Sequence, residues 1–150
     1  TGANTAHENV VWLVGKAGSL TNTGSNVYWD TTDITIMAYH PYHANWTENN
    51  YTFSVNTDQS TDDGYLNSDL LWAKTTSSPS NNPTELSFSH KLSKINVTLI
   101  NDGNEDMSNA TITICGTNIS TGFNTQTGEL YSVTKNIADI KCVINGWNEN

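Results

Sequence analysis

With 150 residues, the chain has the length of one domain with its own core, and we predict a single domain over residues 1–150. Its 15 acidic residues against 6 lysines, without any arginine, give a formal net charge of −9 at pH 7. Nucleic acid and anionic membranes require clustered cations on the protein, so this charge argues against both as partners. The negative charge favours solubility instead.

The composition predicts an all-β domain. Thr, Asn and Ser together exceed a third of the chain, and these residues suit turns and solvent-facing strand positions better than helices. No segment combines apolar positions at helical spacing with capping residues. We therefore predict a β-sandwich of about seven to nine short strands, without a linker or an internal repeat.

Apolar and alternating runs predict the strands in chain order. The predicted strands are residues 10–14, 28–29, 34–39, 51–55, 111–115 and 137–144. Residues 15–26 and the acidic residues 57–68 are predicted loops, and residues 123–130 are predicted to form a tight hairpin. Pro41 ends the strand before it, because proline cannot donate to a ladder.

The longest alternating run, residues 86–100, is predicted to be the central strand of the core. Its apolar positions change parity near Ser93 and Lys94, which requires a bend and is typical of a strand that crosses from one sheet to the other. The residues predicted to be buried are Trp72, Phe88, His90, Leu92, Ile95, Val97 and Leu99, with Ile36, Ile112 and Ile114 opposite them. On this prediction Phe88→Ala would cost about 3–5 kcal/mol.

Three segments resemble the fimbrillins, the pilin subunits of type V pili of gut and oral anaerobic bacteria. The first is Asp-Leu-Leu-Trp-Ala at residues 69–73, followed after a polar loop by the alternating run from Leu86. The second is Val-Tyr-Trp-Asp at residues 27–30 with a strand ending in Ala-Tyr-His-Pro-Tyr at residues 38–42. The third is Phe-Ser-Val at residues 53–55.

The resemblance implies a fold, a function and a location. It implies a transthyretin-like β-sandwich that matches the N-terminal domain of a two-domain subunit, with no catalysis and no cofactor. It implies a structural or tip subunit of fimbriae that joins other pilus subunits by strand exchange. Fimbrillins are exported to the cell surface as lipoprotein precursors and trimmed, and a chain that starts at Thr1 with a polar segment is similar to the trimmed form.

Histidines, acidic residues and cysteines were considered as sites. His40 and His43 lack the further ligands of a zinc site, and a strand-end turn is the favoured interpretation. His90 is interpreted as a core histidine with one hydrogen-bond partner rather than a general base. The acidic loop lacks the spacing of a calcium loop. Cys115 and Cys142 are predicted to point to opposite faces of their strands and to remain free thiols.

An aromatic cluster in a polar loop leaves a binding function open. Trp46, with Tyr42 nearby, could stack on a sugar, although packing against the sandwich edge is the favoured interpretation. A carbohydrate-binding or adhesin domain that contacts a host glycan or protein is therefore the alternative to the pilin subunit. A secreted hydrolase is a third hypothesis, and no catalytic motif supports it.

Overall fold

The computed structural model describes residues 9–24, 32–46, 49–80, 83–104 and 106–142. Within them the chain is almost entirely β, as predicted, with eleven strands, one short α-helix and one 3-10 turn at Lys16–Gly18. The predicted strand at residues 28–29 lies outside the described residues. The elements are β1 (Trp12–Val14), β2 (Leu20–Asn22), β3 (Ile34–His40), β4 (Asn50–Ser54), β5 (Asp58–Gln59), α1 (Asp62–Leu66), β6 (Leu71–Ser77), β7 (Ser89–His90), β8 (Thr113–Asn118), β9 (Ser120–Asn124), β10 (Leu130–Tyr131) and β11 (Ile137–Cys142).

The described strands form four small sheets. The hairpin β1–β2 is one sheet, and the other three have the orders β10-β9-β4, β5-β11-β8 and β3-β6-β7. All pairings are antiparallel except the one between β5 and β11. The strand number exceeds the predicted seven to nine because β5, β7 and β10 are each only two residues long.

Helix α1 lies in the segment that the sequence predicts as an acidic loop. The hydroxyl of Thr61 accepts a hydrogen bond from the amide of Gly64 at 3.1 Å, and Asp62 and Asp63 stand in the first turn. A capping side chain and two carboxylates near the positive end of the helix stabilise even this single turn. The core does not depend on it, because none of its residues is buried.

The core is a cluster of aromatic and aliphatic side chains from β4, β9 and the segments before β4 and β6. Its buried members are Trp46, Phe53, Leu70 and Phe123. Partly buried side chains pack against them, namely Tyr39, Tyr51, Val55, Trp72 and Leu92. Alternation in β4 and β9 places Phe53 and Phe123 on this face of their sheet, and both are at most 5% exposed.

The predicted core differs from the observed one along the alternating run 86–100. Trp72 and Leu92 do pack against the core cluster, and Ile36, Ile112 and Ile114 are half-buried. The expectation of burial is not met for Phe88, His90, Ile95, Val97 and Leu99, which are all exposed. The physical reason is that only Ser89 and His90 of the long alternating run join a sheet, by pairing with Trp72 and Leu71 of β6.

Candidate functional site

The most unusual surface is the second half of the alternating run, which we call the open segment, residues 94–100. The last hydrogen bond that holds the chain to β6 is donated by the amide of Lys91 to the carbonyl of Leu70, at 2.8 Å. The chain leaves the sheet after Lys91 and bends at Leu92, next to Ser93 and Lys94, where the sequence predicts a bend. Within the described residues, however, no second sheet receives it.

The open segment carries a strand pattern without a strand partner. Ile95, Val97 and Leu99 share one parity and are 61%, 52% and 44% exposed. Among the described residues, no strand pairs with the segment, and its amides and carbonyls make no backbone hydrogen bond. Such a row of donors and acceptors beside apolar side chains is a template for another strand.

Two contacts fix the start of the open segment on the domain. Leu92 packs against the core cluster, and the ammonium of Lys94 lies 5.7 Å from the centroid of the Tyr65 ring. A cation over an aromatic face at an exposed site contributes about 0.5–1 kcal/mol. The open segment is therefore anchored at its first residue, while its apolar positions project into solvent.

Neighbouring aromatic side chains cover Trp46, the residue at which the sequence predicts a possible sugar contact. The Trp46 indole stacks on Tyr51 with ring centroids 4.8 Å apart and on His43 at 5.4 Å, and it also meets Tyr39 at 5.0 Å. Only 8% of Trp46 is exposed, so its faces are not available to a ligand. Tyr42 remains exposed at the surface, without Trp46 beside it as a binding partner. Trp46 thus folds back onto the sandwich, the interpretation that the sequence favoured.

Tyr39 connects this aromatic cluster to the start of the described chain. Its hydroxyl donates to Oδ1 of Asn9, and the side-chain amide of Asn9 donates to the carbonyl of His43 at 3.1 Å. Burial raises the pKa of Tyr39 to about 12, and the neighbouring phenols of Tyr51 and Tyr42 act in the same direction. Tyr39 is therefore held as a neutral hydrogen-bond donor.

The histidines take separate roles. Nε2 of His40 contacts the carbonyl of Leu66 at 3.2 Å, and His43 stacks on Trp46. His90 is exposed, and its Nδ1 lies 2.7 Å from Oδ1 of Asp69. In the part of the chain that the structure describes, no group of three or more His, Cys, Asp or Glu side chains could hold a metal ion.

The acidic loop and the cysteines have local explanations. Asp58 accepts hydrogen bonds from the hydroxyl and the amide of Ser60, which lower the pKa of its carboxyl group, and the ammonium of Lys141 lies 3.8 Å away. Cys115 is exposed, Cys142 is half-buried, and both are free thiols. None of the helices in the described ranges is long and apolar enough to cross a membrane.

Sequence reasoning missed the buried residues that anchor the core. Leu70 and Phe123 are fully buried, yet neither belongs to the predicted core. A signal was available for Phe123, because it begins the predicted hairpin at residues 123–130 and is its only aromatic side chain before Tyr131. Leu70 precedes β6 directly, where its neighbour Leu71 is equally apolar and only half-buried.

The architecture defines an all-β domain built from short antiparallel strands around an aromatic core. The chain belongs to the fimbrillin-like family, whose family model matches residues 1–149. Membership in this family relates the chain to the pilin subunits of cell-surface fimbriae, and this points to a structural rather than an enzymatic role.

One solved structure with the same fold comes from Bacteroides ovatus and is provisionally described as a cell adhesion protein. The two chains are 19% identical with a TM-score of 0.58, over 87% of this chain and 52% of the other. The present chain thus spans about half the length of that protein, and at this identity the likeness concerns the fold. No curated protein matches the chain.

Proposed function

We propose that this domain is a structural or tip subunit of cell-surface fimbriae and that it joins neighbouring subunits by strand exchange. The observation that carries the proposal is the open segment, which combines an apolar parity with backbone groups that have no partner among the described residues. A strand from a neighbouring subunit would satisfy those amides and carbonyls and would cover Ile95, Val97 and Leu99. The residues that the sequence predicts to be buried would then be buried in the assembly.

The energetics favour such a partner. Burying a Val, Leu or Ile side chain contributes roughly 1.5–3 kcal/mol relative to leaving it exposed. Three such side chains on one strand face, together with a satisfied ladder, supply a large part of a stable contact. Because the parity is regular, the partner strand would meet one face, and the side chains of Asn96 and Thr98 would remain outward.

Membership in the fimbrillin-like family supports the parts of the proposal that concern domain organisation, export and partners. The domain would correspond to the N-terminal domain of a two-domain fimbrillin, exported as a lipoprotein precursor to the outer membrane and the fimbria. Its partners would be other pilus subunits, of the same or a different kind, and a host glycan or protein would be its adhesion target. The length of the structural neighbour, about twice that of the match, agrees with a second domain.

The first prediction uses two substitutions at neighbouring positions of the open segment. Val97→Asp places a charge on the face that the partner would cover, whereas Thr98→Asp places the same charge on the opposite face. Both positions are exposed in the isolated domain, so both variants should fold with unchanged circular dichroism and melting temperature. We expect Val97→Asp to abolish incorporation into surface filaments and Thr98→Asp to retain it.

The measurement is antibody labelling of filaments on the native bacterium, after the chromosomal gene is replaced by each variant. Equal incorporation of both variants would show that the open segment is not the assembly surface. A wild-type protein confined to the cytoplasm, or unchanged fimbriation and adhesion after deletion of the gene, would contradict the proposed function as a whole.

A further inference from the structure

A cleft on another part of the surface is built from segments far apart in the sequence. It has a volume of about 540 Å³ and is lined by Asn50 at the start of β4, by His90 and Lys91 at the end of β7, and by residues 127–131. Small-molecule sites typically have volumes of about 300–1,000 Å³. The space is therefore sufficient for a small ligand.

The wall at the β9–β10 turn is fixed by its own hydrogen bonds. Oδ1 of Asn124 accepts from the amides of Gln126 and Thr127, each at 2.9 Å, and the amide of Gly128 donates to the carbonyl of Asn124 at 2.7 Å. Gly128 has a φ of 71°, which residues with a side chain rarely adopt. The turn therefore presents one backbone conformation to the cleft.

Trp72 joins this turn to the opposite wall. Its indole Nε1 donates to the carbonyl of Thr125 at 2.8 Å, and the backbone of Gly128 lies so close to the ring that a Cβ atom there would be 2.4 Å from Cδ2 of Trp72. The ammonium of Lys91 lies 5.5 Å from the centroid of the same ring. Both walls are thus held by one half-buried indole, and the cleft is formed before any ligand arrives.

The polar groups of the cleft are oriented by partners and keep capacity for a ligand. The side-chain amide of Asn124 donates to Oδ1 of Asn50 at 2.8 Å, which leaves the NH₂ group of Asn50 as a donor. Oε2 of Glu129 accepts from the Thr127 hydroxyl at 3.1 Å, which leaves Oε1 as an acceptor. Nδ1 of His90 donates to Asp69, so Nε2 can accept from a ligand.

This combination of groups selects a ligand by its chemistry. The cleft offers both donors and acceptors, and Leu130 and Tyr131 add an apolar edge with 39% and 40% exposure. Its lining contains one lysine, Lys91, and one carboxylate, Glu129, so the charged side chains balance and favour a neutral ligand. Adjacent hydroxyls on an apolar ring, each both donor and acceptor, match such a site.

We propose that this cleft binds a neutral saccharide; the proposal rests on the host-glycan target of the proposed function, to which it assigns a site, and is separate from assembly into fimbriae. Trp46, the residue at which the sequence predicts a possible sugar contact, is not among the residues that line this cleft. It uses amides, a carboxylate and an imidazole that were not considered as ligand groups from the sequence. The cleft does not include the open segment, so sugar binding and assembly can be tested separately.

The test is a nuclear magnetic resonance titration of the isotope-labelled protein with galactose, mannose and N-acetylglucosamine. Each sugar is added to about 50 mM, well above a dissociation constant of about 1 mM. We expect at least one of them to shift the side-chain amide resonances of Asn50 and Asn124 in a saturable way. Glu129→Gln, which preserves the shape of the side chain and removes a charged acceptor, should weaken that binding about tenfold or more.

Glu85→Gln is the matched control, because Glu85 is an equally exposed carboxylate that does not line the cleft. It should leave the affinity unchanged. Failure of all three sugars to shift the Asn50 and Asn124 amides would overturn the proposal, and so would equal affinity of wild type and Glu129→Gln. Either result would leave assembly through the open segment intact, because that is measured on filaments.

Discussion

Phe123 and Phe88 differ in burial, although the sequence predicts Phe88 for the core and places Phe123 only at the start of a hairpin. Phe123 is 0% exposed and contacts the Tyr39 and Trp46 rings, whereas Phe88 is 39% exposed just before β7. Removing a fully buried phenylalanine leaves a cavity as well as losing transfer free energy. We therefore expect Phe123→Ala to lower the free energy of unfolding by about 3–5 kcal/mol, and Phe88→Ala by less than about 1 kcal/mol.

Urea unfolding of the two alanine variants beside the wild type measures this difference, provided that the slope of each transition is unchanged. Similar losses for both variants would mean that Phe88 is buried, as its place in the alternating run predicts. The comparison of the two variants therefore tests whether Phe88 is buried, as the alternating sequence predicts, or exposed, as the structure shows.

The raised pKa of Tyr39 predicts how the stability of the folded protein depends on pH in the alkaline range. Its pKa is raised from 10.0 to about 12 by burial, so the folded protein holds the phenolic proton more tightly than the unfolded chain. The resulting stabilisation is complete below pH 10 and is lost as the pH rises from 10 through 12. Tyr39→Phe removes this titration, and its stability should fall less steeply than that of the wild type over this interval.

Chemical unfolding of both proteins across that pH interval is the measurement, with Tyr65→Phe as a control at an exposed tyrosine that does not act on the pKa of Tyr39. Parallel curves for the wild type and Tyr39→Phe would show that the Tyr39 phenol ionises as it does in the unfolded chain. Because Tyr39→Phe also removes the hydrogen bond to Asn9, its stability at neutral pH is the baseline for comparison.

For the secondary-structure elements, alternation of apolar and polar residues predicts strands correctly where another strand is present to pair with them. The predicted strands 34–39 and 137–144 correspond to β3 (Ile34–His40) and to β11 (Ile137–Cys142) within the described residues. β3 pairs with β6 over its full length, and β11 pairs with both β5 and β8. Local pattern and tertiary pairing agree in these strands, which is why the prediction from sequence holds.

The alternating run 86–100 shows what such a pattern cannot decide. The period of two identifies the apolar face and the change of parity near Ser93, just after the chain has left the sheet at Lys91 and bent at Leu92. It contains no information on whether an open sheet edge is present to receive the strand, because pairing depends on residues far away in the sequence. The sequence thus predicted the bend correctly and the burial of Ile95, Val97 and Leu99 wrongly.

The cleft and the aromatic core also required the structure. The lining of the cleft comes from residues 50, 90–91, 124 and 127–131, which no local motif connects. Its position depends on Trp72, which the sequence identified only as a core residue. Trp46 was recognised as a loop aromatic, but its neighbours Tyr51 and Phe123 became apparent only from the tertiary contacts.

For the whole molecule, assembly into filaments should slow the amide hydrogen exchange of one segment. The exchange of the other segments should stay unchanged. Amides of the open segment have no backbone partner among the described residues of the isolated chain and should exchange with solvent rapidly. Amides of β3 and β6 pair along seven residues and should exchange slowly. In filaments, a strand from the next subunit would bring residues 94–100 into a ladder, and their exchange should slow by orders of magnitude.

Hydrogen–deuterium exchange followed by mass spectrometry, on isolated protein and on purified filaments, tests this expectation peptide by peptide. β3 and β6 serve as internal controls because their protection should be high in both states. Slow exchange of residues 94–100 already in the isolated protein would mean that the chain itself supplies their partner, and strand exchange at this segment would then be excluded. Rapid exchange in both states would place the subunit contact elsewhere, since a segment paired in the filament cannot remain open to water.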